Sequence, residues 1–475
     1  MSRAGPLLAI ASLIFLSADV SGQADRFEVG QRLRAWEAAW EAHPTAEARQ
    51  RAVPHLKLSV NYFFLRRMGE AGRALDLARF ALESPEAPSA ERRWAASLDL
   101  TPETRFADTD SPEIRFTLAP FYPVDVPPPP DARLSLSLKG ARPGPSLVRS
   151  STIGLGALPH AGRLRIGGLA EGDYTLRAEI MAGKRVLEAR EQTLSLAGSL
   201  AARIDRLRLA ADDLPRGETG CETARGLAAL LEMLLDGKPL ETNYPAARLL
   251  AEADAALKAQ ASGRSYYGWR RAGQFWLTLP TSAGPTPSRL LAPAAVKQGS
   301  PLPLIIAMHG SGGSENLFFE AYGRGAMVQL CEQRGYLLLA PRGAGFSPRR
   351  ALELIDGVAG LYPVDRQRVF LVGHSLGAMQ AMSSAAEAPE RFAGVAALGG
   401  GWGGRVSPGL RGLRFFIGVG LEDFALPVAR ALDETLRQGG VASIRLREYP
   451  DTEHLAVVQV ALPEVFAFFD ETAKR

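Results

Sequence analysis

The chain has 475 residues, 46 % hydrophobic and 22 % charged, with a formal net charge of +4 and a sequence pI near 9.1. That composition is that of a globular protein with ample core, and the length suggests roughly three domains. The basic excess is small and no basic run is interleaved with aromatics, which sets nucleic-acid binding aside.

Residues 1–22 read as a secretory signal. Arg3 gives a positive start, 6–16 is an apolar core too short to span a bilayer comfortably, and Val20-Ser21-Gly22 offers a cleavage site. The alternative is an uncleaved anchor. No Cys precedes Cys221, so a lipid-modified cysteine at the cleavage site is excluded. No other stretch is apolar enough to span a membrane. The expected location is secreted or periplasmic, with no stable membrane span after cleavage. Cys221 and Cys331 lack CxxC spacing and fall in different predicted domains, so pairing and two separate thiols both stay open.

Residues 23–98 read as a helical region. Leu33, Trp36 and Trp40 share one face. A second helix pair over 62–65 and 74–80 is broken near Gly69 and Gly72. The aromatics there suit packing, and His43 and His55 have no partners at metal-binding spacing. From 99 to 198 the period changes to two, as in Leu134-Ser135-Leu136-Ser137-Leu138 and Tyr174-Thr175-Leu176-Arg177-Ala178. The Pro127–Pro130 run would break any helix. Leu169, Gly172, Tyr174 and Leu176 resemble the tyrosine-corner region of immunoglobulin-like sandwiches. A small β-sandwich follows from this, serving as spacer, cap or carbohydrate contact. Residues 199–263 return to amphipathic helix and form a helical connector.

From 264 to 475 strands and helices alternate, which predicts a mostly parallel sheet flanked by helices. Strands are expected over 274–279, 302–308, 336–339, 369–372, 395–398, 415–419 and 444–449. Helices are expected over 317–334, 348–362, 376–388, 427–438 and 462–472. The Pro- and Ser-rich residues 281–300 read as a long loop. The fold class is therefore multidomain: a helical region and a β-sandwich ahead of an α/β domain.

The chemistry centres on Gly373-His374-Ser375-Leu376-Gly377, the Gly-x-Ser-x-Gly elbow between an apolar strand and an Ala-rich helix. A serine hydroxyl needs a base, and in this arrangement the acid and then the histidine follow the serine. His454 is the only histidine beyond the elbow, in a loop after the last predicted strand. Asp423, in the loop after 415–419, is assigned as the acid, with Glu422 as the alternative on the same loop. The N–H groups expected to hold an oxyanion are that of Leu376 and that of Gly310 or Ser311, in His309-Gly310-Ser311-Gly312-Gly313. That turn lacks the Lys-Ser/Thr ending of a phosphate loop. His309, His374 and Trp402 are candidates for lining a substrate pocket. No HExxH or spaced Cys/His cluster calls for a metal, and no cofactor is expected.

These motifs carry a resemblance. Residues from about 264 to 475 resemble the α/β-hydrolase superfamily through Pro303 to Gly313, Arg368 to Gly377, and Gly420-x-x-Asp423 with His454. Tyr322-Gly323-x-Gly325 and Gly335 to Gly343 are similar to secreted polyhydroxybutyrate-depolymerase and feruloyl-esterase relatives, although Ala378 stands where that group often has Gly. The resemblance implies a serine hydrolase acting on small-molecule or polymeric esters. A serine peptidase of the same fold, or a non-catalytic scaffold, are the alternatives. The turn Gly399 to Gly404 leaves no room for a large lid, so any cap comes from 281–300 or from the N-terminal half.

Overall fold

The computed structural model describes residues 21–140, 147–237, 242–343 and 348–471. The expected signal, 1–22, lies outside these apart from its last two residues, which begin a helix.

Helices α1 (Ser21–Ala42), α2 (Ala46–Phe64), α3 (Met68–Glu83) and the short α4 (Ala90–Ser97) come first. Thr45 caps α2 by accepting the Ala48 N–H at 3.3 Å. Trp36 and Trp40 are buried with ring centroids 5.5 Å apart. The break between α2 and α3 falls at residues 65–67, where Arg66 takes a φ of 58°, and not near Gly69 and Gly72. Those glycines lie inside α3. A Cβ on Gly72 would sit 2.7 Å from the Phe121 ring and 3.0 Å from Arg32 Cδ. Close packing, and not a turn, is what requires Gly72.

Arg32 ties this region to the next. Buried within α1, it reaches Asp76 of α3 at 2.9 Å, Asp99 at 2.6 Å and the Ala96 carbonyl at 3.0 Å. Tyr122 donates to Asp76 at 2.8 Å.

Eight strands follow: β1 (Leu98–Pro102), β2 (Phe106–Asp108), β3 (Glu113–Pro120), β4 (Ala132–Gly140), β5 (Leu147–Gly154), β6 (His160–Arg165), β7 (Gly172–Ala182) and β8 (Arg185–Ala197). They form two sheets, β1-β3-β6 and β2-β8-β7-β4-β5. Alternate residues of both sheets, among them Ile114, Phe116, Leu134, Leu136 and Leu176, share one core. The Tyr174 hydroxyl donates to the Ala170 carbonyl at 2.7 Å.

Helices α5 (Leu200–Asp212), α6 (Thr219–Leu235) and α7 (Ala246–Ala261) join the halves. Their leucines share a core with Phe106 on one side and Trp276 on the other.

The C-terminal half contains β9 (Gly273–Leu279), β10 (Thr286–Ala292), β11 (Leu302–Met308), α8 (Leu317–Glu320), α9 (Tyr322–Arg334), β12 (Leu337–Pro341), α10 (Pro348–Ala359), β13 (Val364–His374), α11 (Leu376–Glu387), β14 (Gly394–Leu398), β15 (Arg414–Gly420), α12 (Leu426–Gln438), β16 (Ser443–Tyr449) and α13 (Val457–Asp470). They build one sheet of order β16-β15-β14-β13-β11-β12-β10-β9. The strands from β11 to β16 pair in parallel, and β9 and β10 are antiparallel. One face packs Leu354, Met382 and Leu432 of α10, α11 and α12, and the other packs Met327 and Phe466 of α9 and α13. From β11 the chain moves outward to β12 and then back to β13 on the opposite side. The carboxyl ends of β11 and β13 therefore flank a topological switch point, where open α/β sheets bind their ligands.

Three expectations change. Residues 281–300 hold strand β10 and a 3-10 turn over 294–298, because Leu290-Leu291-Ala292 is an apolar run behind Pro287. The expected helix over 317–334 is two helices. Helix α13 begins at Val457, five residues early, with Pro463 inside it. The edge strand β9 is covered by α6: the Thr278 N–H donates to Thr223 Oγ at 3.0 Å, and a Cβ on Gly226 would collide with Thr278. Cys221 and Cys331 are both buried and unbridged. Among the described residues no helix is long and apolar enough to cross a membrane.

Candidate active site

Ser375 stands on the turn from β13 to α11 with φ 56° and ψ −118°, a strained conformation for a side-chain-bearing residue. Both flanking glycines are needed for space. A Cβ on Gly373 would run into the Gly377 carbonyl, and one on Gly377 into the Met308 carbonyl at the end of β11. The Ser375 N–H is fixed to the Leu398 carbonyl at 2.9 Å. Leu376 opens α11, so its N–H is among those a helix cannot satisfy internally.

Parallel pairing of β15 and β16 brings their following loops side by side. Asp423 and His454 meet there, buried, with the His454 Nδ1–H donating to Asp423 Oδ1 at 2.9 Å. The Ala425 N–H donates to the same oxygen at 2.8 Å. Burial pushes the imidazole pKa down, but the Asp423 hydrogen bond and charge, with Glu453, outweigh it and hold it above 6.5. Glu422 turns outward to Lys57 of α2 at 2.5 Å, so of the two carboxylates on this loop it is Asp423 that meets the histidine. Asp451 accepts from Gln50 at 2.8 Å. Glu453 is buried, takes the Leu455 N–H at 2.8 Å, and is pushed up to about 7 by burial.

The turn after β14 draws these parts together. A Cβ on Gly399, whose φ is 55°, would lie 2.9 Å from Asp423 Oδ2 and 3.2 Å from His454 Nδ1. One on Gly400 would lie 2.6 Å from the Ser375 carbonyl. Two successive residues of one turn thus touch serine, histidine and acid. Sequence reasoning gave Gly399 and Gly400 no part in the site, although the glycine run was the signal for it.

Tyr322 was likewise missed. Its hydroxyl lies 2.7 Å from His374 Nδ1, and His374 Nε2 lies 3.1 Å from the His454 carbonyl. A carbonyl only accepts, so Nε2 carries the proton and Tyr322 donates to Nδ1. Burial, with His454 adding to it, holds His374 well below 6.5 and neutral. The Tyr322 hydroxyl also takes a hydrogen bond from the Gly310 backbone. Gly310 in turn sits against the serine, since a Cβ on it would lie 3.2 Å from Ser375 Cβ. Of the two expected loop donors, the Gly310 N–H is therefore engaged.

Tyr322 opens a left-handed stretch: φ is 50° at Tyr322, 77° at Gly323, 57° at Arg324 and 76° at Gly325. This stretch is what splits the expected helix 317–334. Glu37, wholly buried in α1, accepts the Tyr322 N–H at 2.8 Å. Burial raises its carboxyl to about 8.

The pocket expectations for the two other histidines need correction. His374 is a buried brace with both ring nitrogens engaged, because it points from the strand end into Tyr322. His309 is buried with Nδ1 2.8 Å from the Gly310 carbonyl and braces its own loop. Trp402 packs partly against the sheet core and folds over Gly404.

Sheet order, elbow and following loops together give the C-terminal half a mostly parallel sheet with a serine elbow at its switch point. Residues 351–409 match the family model described as "Putative esterase". A comparison with curated proteins gave no match. Among solved structures, a ferulic acid esterase aligns at 15 % identity with a TM-score of 0.37, over 42 % of this chain and 98 % of its own. S-formylglutathione hydrolase from Staphylococcus aureus aligns at 13 % and 0.36, over 42 % and 99 %. Est1E from Butyrivibrio proteoclasticus aligns at 16 % and 0.34, over 43 % and 100 %. Residues 351–409 are thus similar to a family of esterases.

Proposed function

We propose that this protein is an exported serine hydrolase that cleaves carboxylic esters through an acyl-enzyme on Ser375. The observation that carries the reading is the buried 2.9 Å pair of His454 and Asp423, joined to the strained Ser375 by the Gly399-Gly400 turn. With Nδ1 held by Asp423, Nε2 of His454 takes the serine proton as Oγ attacks the ester carbonyl. The oxyanion is held by the N–H groups of Leu376 and Ser311, since that of Gly310 serves Tyr322. His454 gives its proton to the departing alcohol. Water then repeats the sequence, forming the free acid and restoring the serine. The apolar stretch at 6–16 behind Arg3 supports export.

The test is hydrolysis of short p-nitrophenyl acyl esters by residues 23–475 beside Ser375→Ala, with fluorophosphonate labelling in parallel. Turnover and labelling that both vanish in the variant support the proposal. Neither signal in the unmodified protein overturns it.

A further inference from the structure

The C-terminal turn of α2 lies across the site. A Cβ on Gly312, in the loop after β11, would overlap the Phe63 ring, and Gly312 has a φ of 79°. Phe63 meets Phe64 edge-on at 5.9 Å, and Phe64 meets Phe424 edge-on at 6.5 Å. Phe424 lies over His454 with centroids 4.3 Å apart. The ring of contacts runs from Ser375 through Gly310 and Gly312 to Phe63, Phe64 and Phe424, and closes on His454. Lys57 and Gln50 pin the same helix to the Asp423 and His454 loops.

These aromatics lie outside the buried cores of the described residues. Phe64 is 41 % exposed, Phe424 53 % and neighbouring Leu65 65 %. Apolar surface left in water beside a reactive pair marks a binding surface. Its place, continuous with His454 and with the oxyanion loop, selects the substrate as occupant.

We infer that Phe64 and Phe424 form the wall that binds an aromatic or extended apolar group of the substrate, so that the N-terminal helical region builds part of the specificity site. A flat aromatic partner would lie against the exposed faces of these rings and exclude water from the reacting ester. This rests on the serine-hydrolase reading above.

The experiment measures kcat/KM for two series. One keeps the p-nitrophenyl leaving group and varies the acyl group from acetyl to aromatic acyl. The other keeps acetyl and varies the alcohol from methyl to aryl. Phe64→Ala and Phe424→Ala should each lower the aromatic-to-small ratio about tenfold in one series, which also tells whether the wall holds the acyl or the alcohol side. Leu209→Ala, an exposed change on α5, should leave the ratio alone. Phe64→Leu, which keeps apolar bulk, should fall between. A ratio unmoved in both series while the parent protein turns over overturns the inference. So does an unmoved ratio with altered sedimentation, which would make the patch a protein interface. No turnover and no fluorophosphonate labelling of the parent protein would instead bring down the serine-hydrolase reading itself.

Discussion

A carboxyl oxygen of Glu37 accepts the backbone N–H of Tyr322 at 2.8 Å, across 285 residues of sequence. One carboxyl group of the N-terminal helices thus supports a left-handed turn whose first residue braces His374 and, through it, the His454 backbone. Removing the Tyr322 hydroxyl leaves His374 Nδ1 and the Gly310 N–H without their partner. Tyr322→Phe is therefore expected to lower kcat/KM by on the order of tenfold while the fold is retained, as buried hydrogen bonds of this kind are worth about 1–3 kcal/mol. Ester kinetics beside circular dichroism check this.

The two carboxylates at 422 and 423 should separate sharply. Asp423→Asn removes the group that orients His454, and kcat should fall by roughly 10⁴. Glu422→Gln breaks only a half-exposed pair with Lys57, worth about 0–1 kcal/mol, and should change kcat less than about threefold. Steady-state kinetics of the two variants decide it.

In the proposed mechanism His454 must be neutral to accept the serine proton. Its pKa lies above the ordinary 6.5, held there against burial by Asp423 and Glu453. The profile of kcat/KM should thus rise with pH through an ionisation above 6.5. In Asp423→Asn the residual activity should rise through a lower one, because burial then acts with less opposition.

Stability should move the other way. Burial raises Glu37 to about 8, Glu28 to about 8 and Glu453 to about 7 in the folded chain, against 4.5 unfolded. The folded state then binds more protons than the unfolded one. The stabilisation is complete below pH 4.5 and is lost as pH rises through about 7 to 8. His374, held neutral, opposes this only below about pH 6.5. Between about pH 6.5 and 8 the unfolding midpoint should drop and then level off, and Glu37→Gln should flatten part of that drop, on the order of a few kcal/mol at most. Urea titrations at several pH values measure it.

Arg32 offers a purely structural test. Arg32→Ala leaves Asp76 and Asp99 buried without their guanidinium, and should cost about 3–5 kcal/mol. Arg32→Lys cannot span both carboxylates and should cost nearly as much. Thermal unfolding of both variants reads the loss.

Much of the sheet was legible because β11, β14, residues 369–373 of β13 and residues 415–420 of β15 are apolar runs, as a doubly covered parallel sheet requires. Strand β10 was hidden by the prolines and serines around it, and the start of α13 by Pro463, which suits a first helical turn better than an interior. Ser375 and His454 stood out since the elbow has a local pattern and one histidine follows it. Tyr322 could not, because its position depends on a turn that Glu37 supports from a distant helix. The Phe64–Phe424 contact was equally silent: each residue reads locally as an ordinary aromatic beside a loop.

The links from α1 and α2 to the C-terminal half span 285 residues for Glu37 to Tyr322, 365 for Lys57 to Glu422 and 401 for Gln50 to Asp451. During synthesis the first helices leave the ribosome long before their partners exist. They cannot finish docking until the last strand has been made, and contacts of such separation are slow to form. The site thus cannot be complete until both ends of the chain have been made.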